Sequence, residues 1–449
     1  MTAEAIVMNR SAVALAADSA VTIGPPGRTK IYESANKLFE LIKGSNIGVM
    51  IYSAAAINGM PWESIIKTYR QENAHFSAEH VADYAQHFLD FLASHEELII
   101  LEAEVQTVVQ QVAERLDRKI LTPLIDWPES LLSVSSGRVV QTRVRRALDK
   151  LIDDWSKEVA ATEDLDLPPG KSADIVTTFR PIVNRLVRSL FDQIRDYTAT
   201  PNQINKLTDV AATTLIKITR KTGTGIVFAG FGTKDYCPAM YSARISSRLC
   251  GAILSYDVKR EQISTRNLAF LDTFAVDGPA RGWINGIHDE IREGVLKSWA
   301  RWARTPLRRE AVEELVHRGF SLAEARRAAS AFQAVTRNQI SSFNKILSKL
   351  ESDQFRKPME SSVAVLPKDE LGLLAESLVN LTSLRQRMTI NQQNTVGGAI
   401  DCAVISIGDG FVWLNRKHYF DTALNPTWHL THGASIRTAI TTTRGDEDA

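Results

Sequence analysis

Thr2 stands directly behind the initiator methionine, Asp18 lies sixteen positions after it, and a Lys-Leu-Phe step follows at Lys37. A threonine side chain is small enough to favour removal of Met1, and removal leaves a threonine with a free α-amino group. Such an amine has a pKa of about 7.7–8.0, so a useful fraction is neutral near pH 7 and can take the proton of the residue's own hydroxyl. Nucleophile and base then reside in one residue, suited to attack on an amide carbonyl and later hydrolysis of the acyl-enzyme. Singly, each residue is ordinary: a Thr often follows Met, an Asp at a strand end is often a turn residue, and a Lys beside Leu-Phe is often solvated. Their joint occurrence in a strand-rich N-terminus is what gives them weight.

The elements that would position these groups are legible around them. Residues 5–8 and 11–17 read as two strands turned at Asn9-Arg10, so that Thr2 opens the first and Asp18 closes the second beside it. A third strand is expected over 37–42 and a fourth over 47–54. In these stretches the chain resembles the proteasome β-subunit and bacterial HslV family of N-terminal-nucleophile (Ntn) hydrolases. The matching pieces are residues 2–8, AADSAVTIG at 16–24, NKLFEL at 36–41 and GVMIYSAAA at 48–56. GIVFAGF at 225–231 with PAMYSARI at 238–245, LGLLAESLVNLTSL at 371–384 and VGGAIDCAVISIGDGFVWL at 396–414 continue it in order. The resemblance they mark out covers roughly half of the chain, the quoted pieces being its most similar parts.

The resemblance implies a four-layer αββα Ntn-hydrolase sandwich, an α+β fold, interrupted by two long helical insertions. It also implies roles. Lys37, identified by its place before Leu38-Phe39, would set a positive charge beside Thr2 and depress its amine and hydroxyl pKa values. Asp18 would hold Lys37 by a charge-assisted hydrogen bond. The Asp18-to-Lys37 interval is longer than the family's, as a longer turn at 24–27 would make it, and Lys30 is the alternative if the register slips. The family's oxyanion donor is a backbone N–H at a glycine, where this chain has Ser53; a backbone donor survives that change. A Ser-Gly that holds the N-terminal amine aligns with Asp277-Gly278. A carboxylate there would raise the amine's pKa or anchor its ammonium form. Two later polar residues of the family fall on about Gln393 and Val396, so the supporting shell is altered while Thr2, Asp18 and Lys37 are kept.

Core pieces are expected at 1–75, 221–280 and 367–436, helical insertions at 76–220 and 281–366, and a tail at 437–449. Within the first insertion, helices are expected at 96–118, ending before Thr122-Pro123, and at 182–197 and 203–219, with turns at 135–137 and 167–170. In the second, Trp283, Ile287, Ile291 and Val295 are spaced by four and would share a stripe. Residues 311–332 read as helix, Gly-Phe-Ser turn and helix, with Ser321 and Glu324 as a capping box and a third helix at 339–351. That arrangement resembles a ubiquitin-associated three-helix module over 312–328, which would suit adaptor docking.

Composition narrows the function classes. A length of 449 residues allows two or three domains, and 44% hydrophobic content is that of an ordinary globular chain. A formal net charge of +1 argues against a nucleic-acid partner as a whole-surface property. Residues 281–350 carry thirteen Lys/Arg against seven Asp/Glu with three tryptophans, read as a solvated face over an apolar stripe. Three cysteines far apart, without a CxxC pair, make neither a disulfide framework nor a zinc site, and the nine histidines form no ligand set. No cofactor or metal is expected. Neither a signal peptide nor a bilayer-spanning run is present, so a cytoplasmic location is expected. The functions weighed are a threonine-type endopeptidase acting on peptide or unfolded protein, a catalytically inactive scaffold of the same fold, and an Ntn amidase on a small substrate. The family resemblance adds self-assembly and a separate ATP-dependent unfoldase or adaptor, because the chain has no P-loop of its own.

Overall fold

The computed structural model describes residues 2–23, 30–125, 137–194, 197–218, 223–275, 278–304, 306–388, 396–421 and 424–425. It is a mixed α/β chain with antiparallel sheets. The strands are β1 (Ala3–Asn9), β2 (Val13–Ala17), β3 (Val21–Ile23), β4 (Lys30–Tyr32), β5 (Leu38–Glu40), β6 (Ile47–Tyr52), β7 (Ala56–Ile57) and β8 (Met60–Pro61). After a helical stretch come β9 (Thr224–Gly230), β10 (Ala239–Leu249), β11 (Ala252–Gln262) and β12 (Ala269–Ala275), and near the end β13 (Asp401–Ser406) and β14 (Gly410–Asn415). Between β8 and β9 run α1 (Trp62–Glu72), α2 (Val81–Ser94), α3 (Leu101–Leu116), α4 (Thr122–Ile125), α5 (Gly137–Ala161), α6 (Lys171–Asp192) and α7 (Pro201–Thr213). Between β12 and β13 run α8 (Gly278–Asn285), α9 (Asp289–Arg304), α10 (Pro306–His317), α11 (Leu322–Glu351), α12 (Lys357–Val363) and α13 (Lys368–Arg387). No helix among the described residues is long and apolar enough to cross a membrane.

The chain forms two compact units, one of residues 1–38, 235–238 and 262–449, the other of 39–234 and 239–261. The first is built on a five-stranded sheet in the order β12-β1-β2-β13-β14. Its hairpin pairs Glu4 with Ala17 and Met8 with Val13. The Asn9 side chain closes the turn by accepting from the Ser11 and Ala12 amides, and its own amide donates to the Val363 and Leu366 carbonyls. One face of the hairpin presents Ala3, Ala5, Val7, Ala12, Ala14 and Ala16, clustered with Leu371, Ala375, Leu378 and Val379 of α13. Small side chains let the helix lie close, so the layer fills without bulky strand residues.

The second insertion departs from its expected form in this unit. The stripe from Trp283 to Val295 is cut by Gly286, whose φ of 72° ends α8, and Trp283, Ile291 and Val295 are exposed while Ile284 is buried. Ser321 caps α11 as expected, its hydroxyl accepting from the Glu324 amide and the Glu324 carboxylate accepting from the Ser321 amide. The third helix expected at 339–351 is not separate. Residues 322–351 form one thirty-residue helix, because no glycine or proline interrupts them, and the three-helix module is thereby lost.

The second unit carries a sheet in the order β11-β10-β9-β6-β5. Trp62, Ile65, Ile66 and Tyr69 of α1 cluster with Phe88 of α2 and Phe228 of β9, and the Trp62 indole donates to the Thr224 hydroxyl at 2.7 Å. Helices α3, α5, α6 and α7 share a second core around Val108, Trp155, Phe179 and Leu207. The buried ion pair of Arg248 with Glu104 ties β10 to α3. The helix expected over 96–118 starts at Leu101 and continues through Pro123, by way of a π-helical turn at Asp117–Leu121. A wider turn makes room for the proline ring and forgoes the hydrogen bond it cannot donate. Likewise α6 begins at Lys171 and passes through Pro181, which is exposed. The expected turn at 135–137 lies partly outside the described residues; the one at 167–170 is present, with Gly170 at φ 84°.

Candidate active site

The hairpin register explains the spacing of sixteen between Thr2 and Asp18. Because Glu4 pairs with Ala17, the next step outward sets Asp18 beside Ala3, immediately after Thr2. The Asp18 amide donates to the Ala3 carbonyl at 3.1 Å, and the Asp18 Oδ1 accepts from the Ala3 amide at 3.1 Å. Asp18 Oδ2 accepts from the amides of Gly397 at 3.0 Å and Ala20 at 3.3 Å. A carboxylate with this many backbone donors is held in one orientation.

Lys37 completes the arrangement. Its ammonium donates to Asp18 Oδ1 at 2.6 Å and to the Ala20 carbonyl at 2.6 Å. Thr2, Asp18 and Lys37 are all buried, at 4%, 1% and 5% exposure. Burial holds the Lys37 ammonium below its ordinary pKa, and the charge and hydrogen bond of Asp18 oppose that fall. Among the described residues no hydrogen bond joins the Thr2 side chain to Lys37. The pair therefore stands as a preformed cation site at the head of β1, and an alcohol brought beside it would be easier to deprotonate.

The surroundings are made by the later chain. The Ser19 amide donates to the Gly397 carbonyl at 3.2 Å. Gly398 has φ 77°, and a Cβ there would meet the Glu33 Cβ at 2.9 Å and the Ser19 hydroxyl at 3.2 Å. Glycine is required at 398 both by backbone conformation and by close approach. A cavity of about 420 Å³ lies beside Asp18, bounded by Ser377, Asn380 and Ser383 of α13 with Arg387 and Gly397. Asp401 pairs with Lys417, whose charge also acts on Lys37.

The other expected site residues are distributed differently. Lys30 is exposed on β4, and it is Lys37 that pairs with Asp18. Ser53 closes β6 in the other unit, exposed and at φ 73°. That left-handed conformation favours glycine and is strained for serine. Gly278 opens α8, three residues after Ala275, the partner of Ala3 across β12 and β1. Asp277 and Gln393 lie outside the described residues, whereas Val396 is buried with its amide donating to Gln386.

Sequence reasoning missed Glu4. It is the one charged residue in the apolar run 3–8, 1% exposed, and neither carboxyl oxygen has a hydrogen-bond partner among the described residues. Burial pushes its carboxyl well above the usual carboxylate range, against the pull of Lys37. The signal was available: strand alternation places residue 4 on the face opposite Ala3 and Ala5. Among the described residues no group of three His, Cys, Asp or Glu side chains is placed to hold a metal ion.

No family model matches the chain, and no curated protein matches it. Solved structures that match include Anbu (Gly-1) mutant from Hyphomicrobium sp. strain MC1, at 9% identity over 98% of this chain and 97% of that one, with a TM-score of 0.27. Anbu (ancestral beta-subunit) from Yersinia bercovieri matches at 9% identity over 97% of each chain, TM-score 0.26. Anbu from Hyphomicrobium sp. strain MC1 matches at 10% identity over 97% of each, TM-score 0.26. The resemblance to proteasome β-subunits and HslV is thereby corrected. The matching structures are Anbu proteins, a distinct family, and neither a family model nor a curated protein supports an HslV-like assignment. At these TM-scores the likeness carries no residue role across to this chain.

Proposed function

We propose that this chain is a threonine-type Ntn peptidase, hydrolysing peptide bonds in peptide or unfolded protein with Thr2 after loss of Met1. The observation that carries the reading is the buried Lys37–Asp18 pair, hydrogen-bonded to the backbone at the head of the strand that Thr2 opens. In this reading the α-amine of Thr2 takes the hydroxyl proton while the oxygen attacks the amide carbonyl, with Lys37 favouring the alkoxide. The ammonium so formed then protonates the leaving amine as the C–N bond breaks, leaving an ester on Thr2. Water, deprotonated by the same amine, attacks that ester and releases the acid, and the proton returns to the hydroxyl. The four-layer αββα arrangement, self-association and a separate ATP-dependent unfoldase or adaptor belong to the same proposal. So do the backbone amide of Ser53 as oxyanion donor and Asp277-Gly278 as anchor for the amine.

Hydrolysis of casein and of short fluorogenic peptides, compared between the natural chain and Thr2→Ala, tests it. Activity lost in Thr2→Ala and kept in part by Thr2→Ser is the expected result. Hydrolysis that survives Thr2→Ala overturns the assignment. A second reading, a scaffold without activity, is favoured by Ser53, a side chain on strained left-handed backbone where close approach of substrate calls for glycine. It predicts no hydrolysis by any of these proteins.

A further inference from the structure

Thr2 and Glu4 are two residues apart at the head of β1, so their side chains project to the same side, opposite the Ala3, Ala5 and Val7 face under α13. The residues across the sheet from Glu4 are Ala17 on β2 and Phe274 on β12, and neither side chain offers a hydrogen bond. Lys37 and Asp18 are the charged groups acting on Glu4. Lys37 is already engaged by Asp18 and the Ala20 carbonyl. One step further along the same strands, Asp272 stands opposite Ile6 and faces Arg281 at 3.8 Å. Lys417, which acts on Lys37, is held by Asp401. Among the described residues, Glu4 is thus a buried carboxyl for which no cation is reserved.

A charge count gives it a use. With Met1 attached, the pair of one carboxylate, Asp18, and one ammonium, Lys37, leaves the cluster neutral when Glu4, a buried carboxyl without a hydrogen-bond partner among the described residues, holds its proton. Loss of Met1 adds an α-ammonium next to a side chain that is 4% exposed. A net positive charge in a buried cluster is costly. It is relieved if either the ammonium or Glu4 gives up a proton.

We propose that Glu4 is a positioning residue for the Thr2 amine: its carboxyl supplies the counter-charge the cluster otherwise lacks, and the two groups hold one proton between them. This rests on Thr2 being the N-terminal nucleophile. Glu4 then sets the pH at which the amine becomes available as a base, without touching the substrate.

The test uses the full chain released from a cleavable fusion so that Thr2 is its first residue, with Glu4→Gln and Glu4→Leu made the same way. The rate of α-amine acetylation is followed against pH by peptide mass spectrometry. In both variants the midpoint is expected about one pH unit or more below that of the natural chain, as loss of a nearby opposite charge requires. Superimposable curves in a folded variant overturn the proposal, because a purely structural carboxyl would not move the midpoint. Glu4→Leu covers the case in which the buried amide of Gln prevents folding. An epoxyketone adduct on the same samples reports separately on the nucleophile. A shifted midpoint without an adduct retains the Glu4 assignment and removes the peptidase, whereas an adduct without a shift does the reverse.

Discussion

At the scale of single residues, the proposed chemistry turns on one cation, Lys37, held in a buried place by one carboxylate, Asp18. Lys37→Met should lower the rate of Thr2 modification by about 10²–10³-fold, the usual worth of one preorganised group that stabilises a developing oxyanion, and adduct formation with an epoxyketone would show it. Asp18→Asn leaves the Lys37 ammonium buried with only the Ala20 carbonyl, so about 3–5 kcal/mol of stability should be lost, measurable by urea unfolding. Glu4 has the opposite sign. A carboxyl whose folded pKa is raised binds more protons folded than unfolded. Its contribution is therefore fully present below the ordinary value of 4.5 and is lost as pH rises through the folded value. Thermal unfolding should show the stability difference in favour of Glu4→Gln widening as pH rises from 4.5 towards the folded value, at a limiting slope of about 1.4 kcal/mol per pH unit, and levelling off above it. A difference independent of pH would mean that Glu4 does not titrate there. Asp18 was legible in the sequence because hairpin spacing sets it beside Thr2, and Lys37 because its place before Leu38-Phe39 resembles that of a lysine in Ntn hydrolases. Glu4 was passed over because an apolar run hides a single charge until the strand's two faces are separated.

At the scale of elements, the buried ion pair between Arg248 and Glu104 joins the first helical stretch to the sheet of the second unit. Glu104 also accepts from the Cys250 amide at 2.8 Å. Glu104→Gln should cost about 3–5 kcal/mol through the stranded Arg248 charge, and the transition that reports this unit in urea should move to lower denaturant. Strands and caps could be read from the sequence because their signals are local: two short runs on either side of the Asn9-Arg10 turn for β1 and β2, a capping box at Ser321. Helix limits were less legible. The helix expected to end before Pro123 runs through it by way of a π-helical turn, and the one expected from 182 starts at Lys171, with Pro181 inside it at an exposed position. Conversely Gly286 breaks a stripe that spacing alone made continuous, and the exposed Trp283 shows that a periodicity of four does not by itself mean burial.

At the scale of the whole molecule, 53 basic and 52 acidic residues leave an excess of only +1 with which to release counterions from a polyanion. A duplex or heparin column should therefore fail to retain the chain at about 0.15 M salt, where surface attractions are screened within about 8 Å, and retention would point to a local basic face. The central claim, that Thr2 is an N-terminal nucleophile, is tested most directly by the intact mass of the purified chain before and after an epoxyketone that needs both a hydroxyl and a free amine. The account predicts a mass lacking Met1 and a single adduct that disappears in Thr2→Ala. A retained Met1 with no adduct would contradict it.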